Sequence, residues 1–138
     1  MQSVSFVTLS AFPYRLAPDE EVAAAGGMVP DKYRGQIPKH VQSLNGRMVR
    51  LEGYLLPIKL KDQQGRTQAI LYRDQSACCF GSVPEIHEWV FVTLTRPLPS
   101  SWDHRLQTAV EGVLQVGEQV EDGAILSVYR MDEATLPN

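Results

Sequence analysis

Met48-Val49-Arg50-Leu51-Glu52-Gly53-Tyr54-Leu55-Leu56-Pro57 decides how this chain reads. Val49, Leu51 and Gly53 alternate with Arg50, Glu52 and Tyr54, the two-residue period of a strand with one apolar face. Gly53 inside the run marks a bulge or a sharp bend. Just upstream, Ile37 to Gly46 carries a compact helix signal. Pro38 suits a first turn, Ile37, Val41 and Leu44 share a face, and Gly46 fits the stop. Downstream, Lys61 to Arg66 reads as a turn and Thr67 to Tyr72 as a second strand. Glu88 to Leu94 is a third strand of strong β propensity. Gln107 to Val116 reads as a fourth, bent at Gly112, and Ile125 to Met131 as a fifth after the turn Glu121-Asp122-Gly123. A helix followed by five strands, the first and fourth bent at glycine, predicts an all-β domain. The architecture that fits is a small five-stranded Greek-key barrel of the oligonucleotide/oligosaccharide-binding (OB) type, over residues 37–138. A simple antiparallel sandwich is the rival.

Residues 1–36 read as an irregular arm over that barrel. Val4 to Leu9 is β-prone and predicts an edge strand. Leu16 to Gln36 is rich in Gly, Ala and charge, and Gly26-Gly27 ends any helix started at Ala23-Ala24-Ala25.

Composition narrows the function classes. The 138 residues suit one domain with a real core. Thirteen Lys and Arg against 16 Asp and Glu give a net charge of −3, which supplies no basic face for nucleic acid. No apolar run reaches the roughly 18 residues of a transmembrane helix. Met1 to Phe6 has neither the basic nor the apolar region of a signal peptide.

Both cysteines of the chain are adjacent, in Cys78-Cys79-Phe80-Gly81, and Pro84-Glu85-Ile86-His87-Glu88 follows. Two cysteines are too few for a disulfide scaffold. A bridge between neighbours is strained, because their Cα atoms lie only about 3.8 Å apart. The pair therefore reads as two thiols, with a vicinal disulfide as the minority state. Thiolate suits zinc and Cu(I), and imidazole suits zinc. Cys78, Cys79 and His87 are the candidate metal ligands, with Gly81, Pro84, Glu85 and Glu88 as further loop candidates. His40 and His104 are distant in sequence and can approach only through the fold. Adjacent cysteines lack the Cys-x₂₋₄-Cys spacing of structural zinc sites, since neighbouring side chains point apart in extended chain.

A second reading makes both cysteines small core fillers, with Pro84 to Glu88 simply turning the chain into the third strand. A third is thiol redox chemistry, which needs a cation beside the sulfur. No Lys or Arg lies between Asp74 and Arg96, Arg73 is the nearest cation in sequence, and Glu85 and Glu88 would raise a thiol pKa. Cys–His hydrolysis lacks any accompanying nucleophile motif. Trp102, Tyr14, Tyr33 and Tyr54 are candidate surface aromatics, whereas Trp89, inside an apolar strand, reads as core.

Three stretches carry a family resemblance. They are Ile37-Pro38-x-His40-Val41-x-x-Leu44-x-Gly46-x-x-Val49-x-Leu51-x-Gly53-Tyr54-x-x-Pro57, Ala77-Cys78-Cys79-Phe80-Gly81-x-x-Pro84, and Gly112-x-Leu114-x-Val116-Gly117 through Gly123 to Tyr129-Arg130. Over about Ile37 to Met131 the chain resembles an uncharacterised family of bacterial exported or lipoprotein-type domains with an OB-like fold. Some members sit beside zinc-regulated ABC-transporter genes. His87 stands where relatives more usually carry Asn. The resemblance implies a periplasmic or envelope-associated protein whose signal or lipid anchor has been removed. It also implies a non-enzymatic accessory role in zinc or copper homeostasis or transport, with a membrane transporter or other envelope protein as partner.

Overall fold

The fold, a computed structural model, describes residues 1–59, 66–75 and 83–137. The elements run β1 (Gln2–Val4), α1 (Phe6–Ser10), α2 (Asp19–Ala24), a 3₁₀ turn (Asp31–Tyr33), α3 (Lys39–Gln42), β2 (Arg47–Lys59) and β3 (Thr67–Tyr72). A second 3₁₀ turn (Ile86–Glu88), β4 (Trp89–Leu94), β5 (Thr108–Glu121) and β6 (Ala124–Thr135) follow. Among the described residues no helix is long and apolar enough to cross a membrane.

The expected all-β, OB-like topology holds. One sheet runs β1-β2-β3-β4-β6-β5, and β2 also pairs with β5, so the sheet curls back on itself. Neighbouring strands are antiparallel except β1 with β2 and β4 with β6. The sandwich is thereby set aside, because the strands belong to one sheet. Among the described residues the strand count is six rather than five, because β1 adds to the outside of β2. The closure is uneven and the result is no clean barrel: β2 meets β5 through Arg47–Gly53 and β3 through Tyr54–Lys59.

The glycines explain how one strand serves two neighbours. A Cβ on Gly53 would lie 2.5 Å from the Tyr72 carbonyl oxygen and 2.9 Å from Cε2 of Phe6. The missing side chain lets β2 change partners there while α1 packs across it. Gly112 in β5 admits the Met131 side chain, 2.8 Å from where its Cβ would be. Opposite it, β6 carries an extra residue, and Glu133 takes φ 50°, the geometry of a β-bulge. Asp122 (φ 52°) and Gly123 (φ 78°) close the β5–β6 hairpin, as an Asp-Gly pair does in a tight primed turn.

Three local expectations are corrected. The edge strand is Gln2–Val4 rather than Val4–Leu9, and Phe6–Ser10 is helical. Burying Phe6 and Leu9, three positions apart, on one helical face outweighs their β propensity. The helix at 37–46 shrinks to Lys39–Gln42, with Pro38 as its cap. The arm is not uniformly irregular, since it contains α2, and Gly26 and Gly27 end that helix at φ 73° and 81°. The arm also shares the core: Phe6, Leu9, Ala17, Val22 and Tyr33 join Val49, Leu51, Leu55, Leu71, Val92 and Leu114 in one apolar cluster.

Candidate functional site

The connection from β3 to β4 is closed at its neck by a pair of residues of opposite charge. The Arg73 amide donates to the Glu88 carbonyl at 2.9 Å, and the Arg73 guanidinium forms an ion pair with the Glu88 carboxylate. The other Glu88 carboxylate oxygen accepts from the Glu85 amide at 2.8 Å, while the Glu88 amide donates to the Glu85 carbonyl at 2.9 Å. This reciprocal cap holds Ile86–Glu88 as a 3₁₀ turn. Pro84-Glu85-Ile86-His87-Glu88 therefore does turn the chain into β4, with Ile86 and His87 pointed inward. Glu88 is the turn's lock, and the Glu85 side chain is largely exposed. Arg73, the cation nearest the cysteines in sequence, is committed to Glu88 and Asp74.

His87 is the unusual residue of this turn. It is 2% exposed. Its Nε2 lies 2.8 Å from the Phe12 carbonyl oxygen. A carbonyl only accepts, so Nε2 carries a hydrogen, and in the neutral ring Nδ1 carries the lone pair. That Nδ1 is sealed from solvent and meets no hydrogen-bond partner among the described residues. The ring lies against Phe12 at 5.1 Å and Tyr14 at 6.1 Å between centroids. Glu85 Oε2 stands 3.9 Å from Nε2, beyond hydrogen-bond reach.

Cys78, Cys79 and Gly81 lie outside the described residues. Among the described residues no three His, Cys, Asp or Glu side chains come together as a metal cluster. His40 and His104 are not His87's ring neighbours. His40 is exposed on α3 and lines an open groove of about 700 Å³ beside β1, and His104 packs 6.3 Å from Trp102. Trp89 packs against the core as expected. Of the surface aromatics, Tyr33 is buried and donates to Glu21 at 2.7 Å. Trp102 and Tyr54 are half-buried.

The arm contributes what sequence reading missed. Tyr129 of β6, fully buried, donates its hydroxyl to the Leu9 carbonyl at 2.7 Å. Tyr14 donates to Glu118 of β5 at 3.0 Å. Burial raises the pKa of both phenols, and the Glu118 charge raises that of Tyr14 further. The unfolded chain releases these protons near pH 10, whereas the fold retains them. The stability they contribute is full below about pH 10 and is lost as pH rises above it. Denaturation melts between about pH 9 and 12 are expected to show that fall, and phenolate absorbance in the folded protein should lag that of free tyrosine. Unchanged stability across that range would show that both phenols ionise freely in place.

Two comparisons match. A family model described as "Protein of unknown function (DUF3299)" matches residues 20–138. The crystal structure of a DUF3299 family protein from Pseudomonas aeruginosa PAO1 superposes with a TM-score of 0.61 at 20% sequence identity, over 99% of this chain and 96% of that one. At that identity the likeness speaks to the fold. No functionally curated protein matches. With most of its length, from the second helix through the last strand, under the family model, the chain belongs to the DUF3299 family of proteins of unknown function.

Proposed function

We propose that the protein is a non-enzymatic extracytoplasmic binding or accessory module that holds a zinc or copper ion through His87 Nδ1 and the thiolates of Cys78 and Cys79. The observation that carries this reading is the buried, unpartnered Nδ1 of a ring whose other nitrogen is held by a backbone carbonyl. A polar atom buried without a partner costs about 1–3 kcal/mol, so it is retained against a penalty. A metal-ligating histidine is built this way: one nitrogen donates outward and so fixes the tautomer, while the other faces the ion. Thiolate and imidazole together suit zinc, and thiolates suit Cu(I). In sequence, Cys78 and Cys79 stand shortly before His87, between the residues of β3 and β4. A role in metal homeostasis or transport, beside a membrane transporter or other envelope protein, fits a small module with one such site.

A packing or protein-interaction module is the second reading, favoured by the structural work His87 and Glu88 already do at the arm and the turn. Thiol redox work ranks third, since Arg73 is engaged by carboxylates.

The test is metal content by mass spectrometry, with a free-thiol count, on reduced protein without a His-tag. Near-stoichiometric zinc or copper is expected, abolished in the Cys78→Ser/Cys79→Ser double variant and weakened about tenfold or more in His87→Gln. No metal even after adding it back, with thiols that react only after denaturation, would sink the metal reading and leave packing.

A further inference from the structure

We infer that the free edge of β1 and the groove beside it form a docking site for an extended, lysine- or arginine-bearing peptide of a partner protein, which adds to the sheet as a further strand. The site is independent of any metal. β1 stands at the end of the strand order, and its far edge meets no strand among the described residues. Gln2, Ser3 and Val4 make no backbone hydrogen bond there outside the pairing with β2. Ser5 continues the extended backbone, at φ −113° and ψ 156°, before α1 begins. The edge therefore runs from Gln2 to Ser5, about 13 Å. Natural edges are commonly blunted by charge, proline or a cover. Gln2-Ser3-Val4-Ser5 has neither charge nor proline. Its outward N–H and C=O groups are a template for a partner's backbone.

The two faces beside this edge differ. The groove of about 700 Å³ falls in the usual range of ligand pockets, about 300–1,000 Å³. On β2, Arg50 and Glu52 point to the outer face, since Val49, Leu51 and Gly53 turn inward. On the inner face α1 packs with Phe6 close to Gly53, and Val7, 73% exposed, stands in the groove wall. One face is polar and the other apolar. A strand laid along the edge presents alternate side chains to the two.

Charge sets the sign of the polar ones. Arg50 pairs with Glu111 at 3.2 Å, and Arg73, which also lines the groove, pairs with Glu88 and Asp74. Glu52 is exposed in the groove and enters no ion pair or side-chain hydrogen bond among the described residues. Counted with the partners of the two arginines, four carboxylates stand against two guanidiniums. His40 is the remaining titratable side chain of the described lining. The groove thus disfavours anions and offers Glu52 to an ammonium or guanidinium. A free amine would gain that one ionic contact alone. A peptide gains the backbone ladder and the apolar wall as well.

The experiment uses the full chain and a fluorescein-labelled hexapeptide of alternating valine and lysine, read by fluorescence anisotropy at low salt. Its competitors are a valine–glutamate hexapeptide, a proline–lysine hexapeptide whose rings remove ladder donors, and free spermidine. The valine–lysine peptide is expected to bind and to slow amide exchange at residues 2–5. Each competitor should be at least about tenfold weaker than the unlabelled valine–lysine peptide. Glu52→Gln should weaken the peptide about fivefold, as loss of a partly exposed ion pair does. Glu121→Gln makes the same change in net charge at the exposed end of β5 and should leave binding unmoved. Equal effects of the two variants would overturn the role of Glu52. A proline–lysine peptide as tight as the valine–lysine one would overturn strand addition. Spermidine competing equally well would overturn the peptide in favour of a free polyamine. No binding of the valine–lysine peptide up to about 1 mM protein would overturn the site itself.

Discussion

Gly53→Ala is expected to cost about 3 kcal/mol of folding stability, at the upper end for overpacking a single methyl group. The added Cβ would sit 2.5 Å from the Tyr72 carbonyl oxygen, 2.9 Å from Cε2 of Phe6 and 3.1 Å from Cγ of Leu71. The first of these is backbone, fixed where Tyr72 pairs with Tyr54 in the β2–β3 ladder. A side chain can rotate away, but this carbonyl can retreat only if the strands separate. The second contact is α1, so relief in that direction would lift the arm from the sheet. Gly123→Ala is a useful contrast: its Cβ would meet open space, and only its φ of 78° resists substitution, a strain of about 1 kcal/mol. Urea denaturation of the two variants beside wild type gives the comparison. Equal losses in both would mean that β2 has room at Gly53 and that close approach does not explain the glycine.

Leu9→Ala is expected to cost about 3 kcal/mol as well, the middle of the range for a buried leucine that leaves a cavity. Leu9 belongs to the arm, yet it is fully buried in the common apolar cluster, and its own carbonyl is held by Tyr129. A segment merely draped on the surface would lose less than about 0.5 kcal/mol on truncation of one side chain. Leu126, 42% exposed on β6, supplies that reference. If Leu9→Ala falls with Leu126→Ala on the small side, the arm is peripheral to the core. A large loss in a single cooperative transition would show that arm and barrel unfold as one unit.

The strands were legible because each signal is local. Val49, Leu51 and Leu55 face the core in alternation, and Trp89 to Leu94 repeats the pattern in β4. The α1 helix was not legible, because Phe-Val-Thr-Leu favours a strand locally. Only the apolar surface that receives Phe6 and Leu9 makes it helical.

The candidate site divides in the same way. The sequence singled out His87 and the turn around it, because histidine, glutamates and proline beside paired cysteines are chemically conspicuous. It assigned Tyr14 to surface binding, whereas the fold uses it as a half-buried donor to Glu118. Arg73 and Glu88 flank the β3–β4 connection with opposite charge, a signal that could have revealed the closed neck.

By itself, then, the sequence determined the all-β class, the special places of Gly53 and Gly112 within their strands, the turn at Asp122-Gly123 and the neighbourhood of the site. These depend on residue type, periodicity and backbone freedom within a few positions. Only the tertiary structure decided that the sheet gains β1 and closes through β2 and β5, and that the arm enters the core. It also decided that the Phe12 carbonyl, 75 residues from His87 along the chain, fixes the imidazole's tautomer. Those outcomes depend on which distant groups meet once the apolar faces are buried, and no local pattern encodes the partner of a backbone carbonyl.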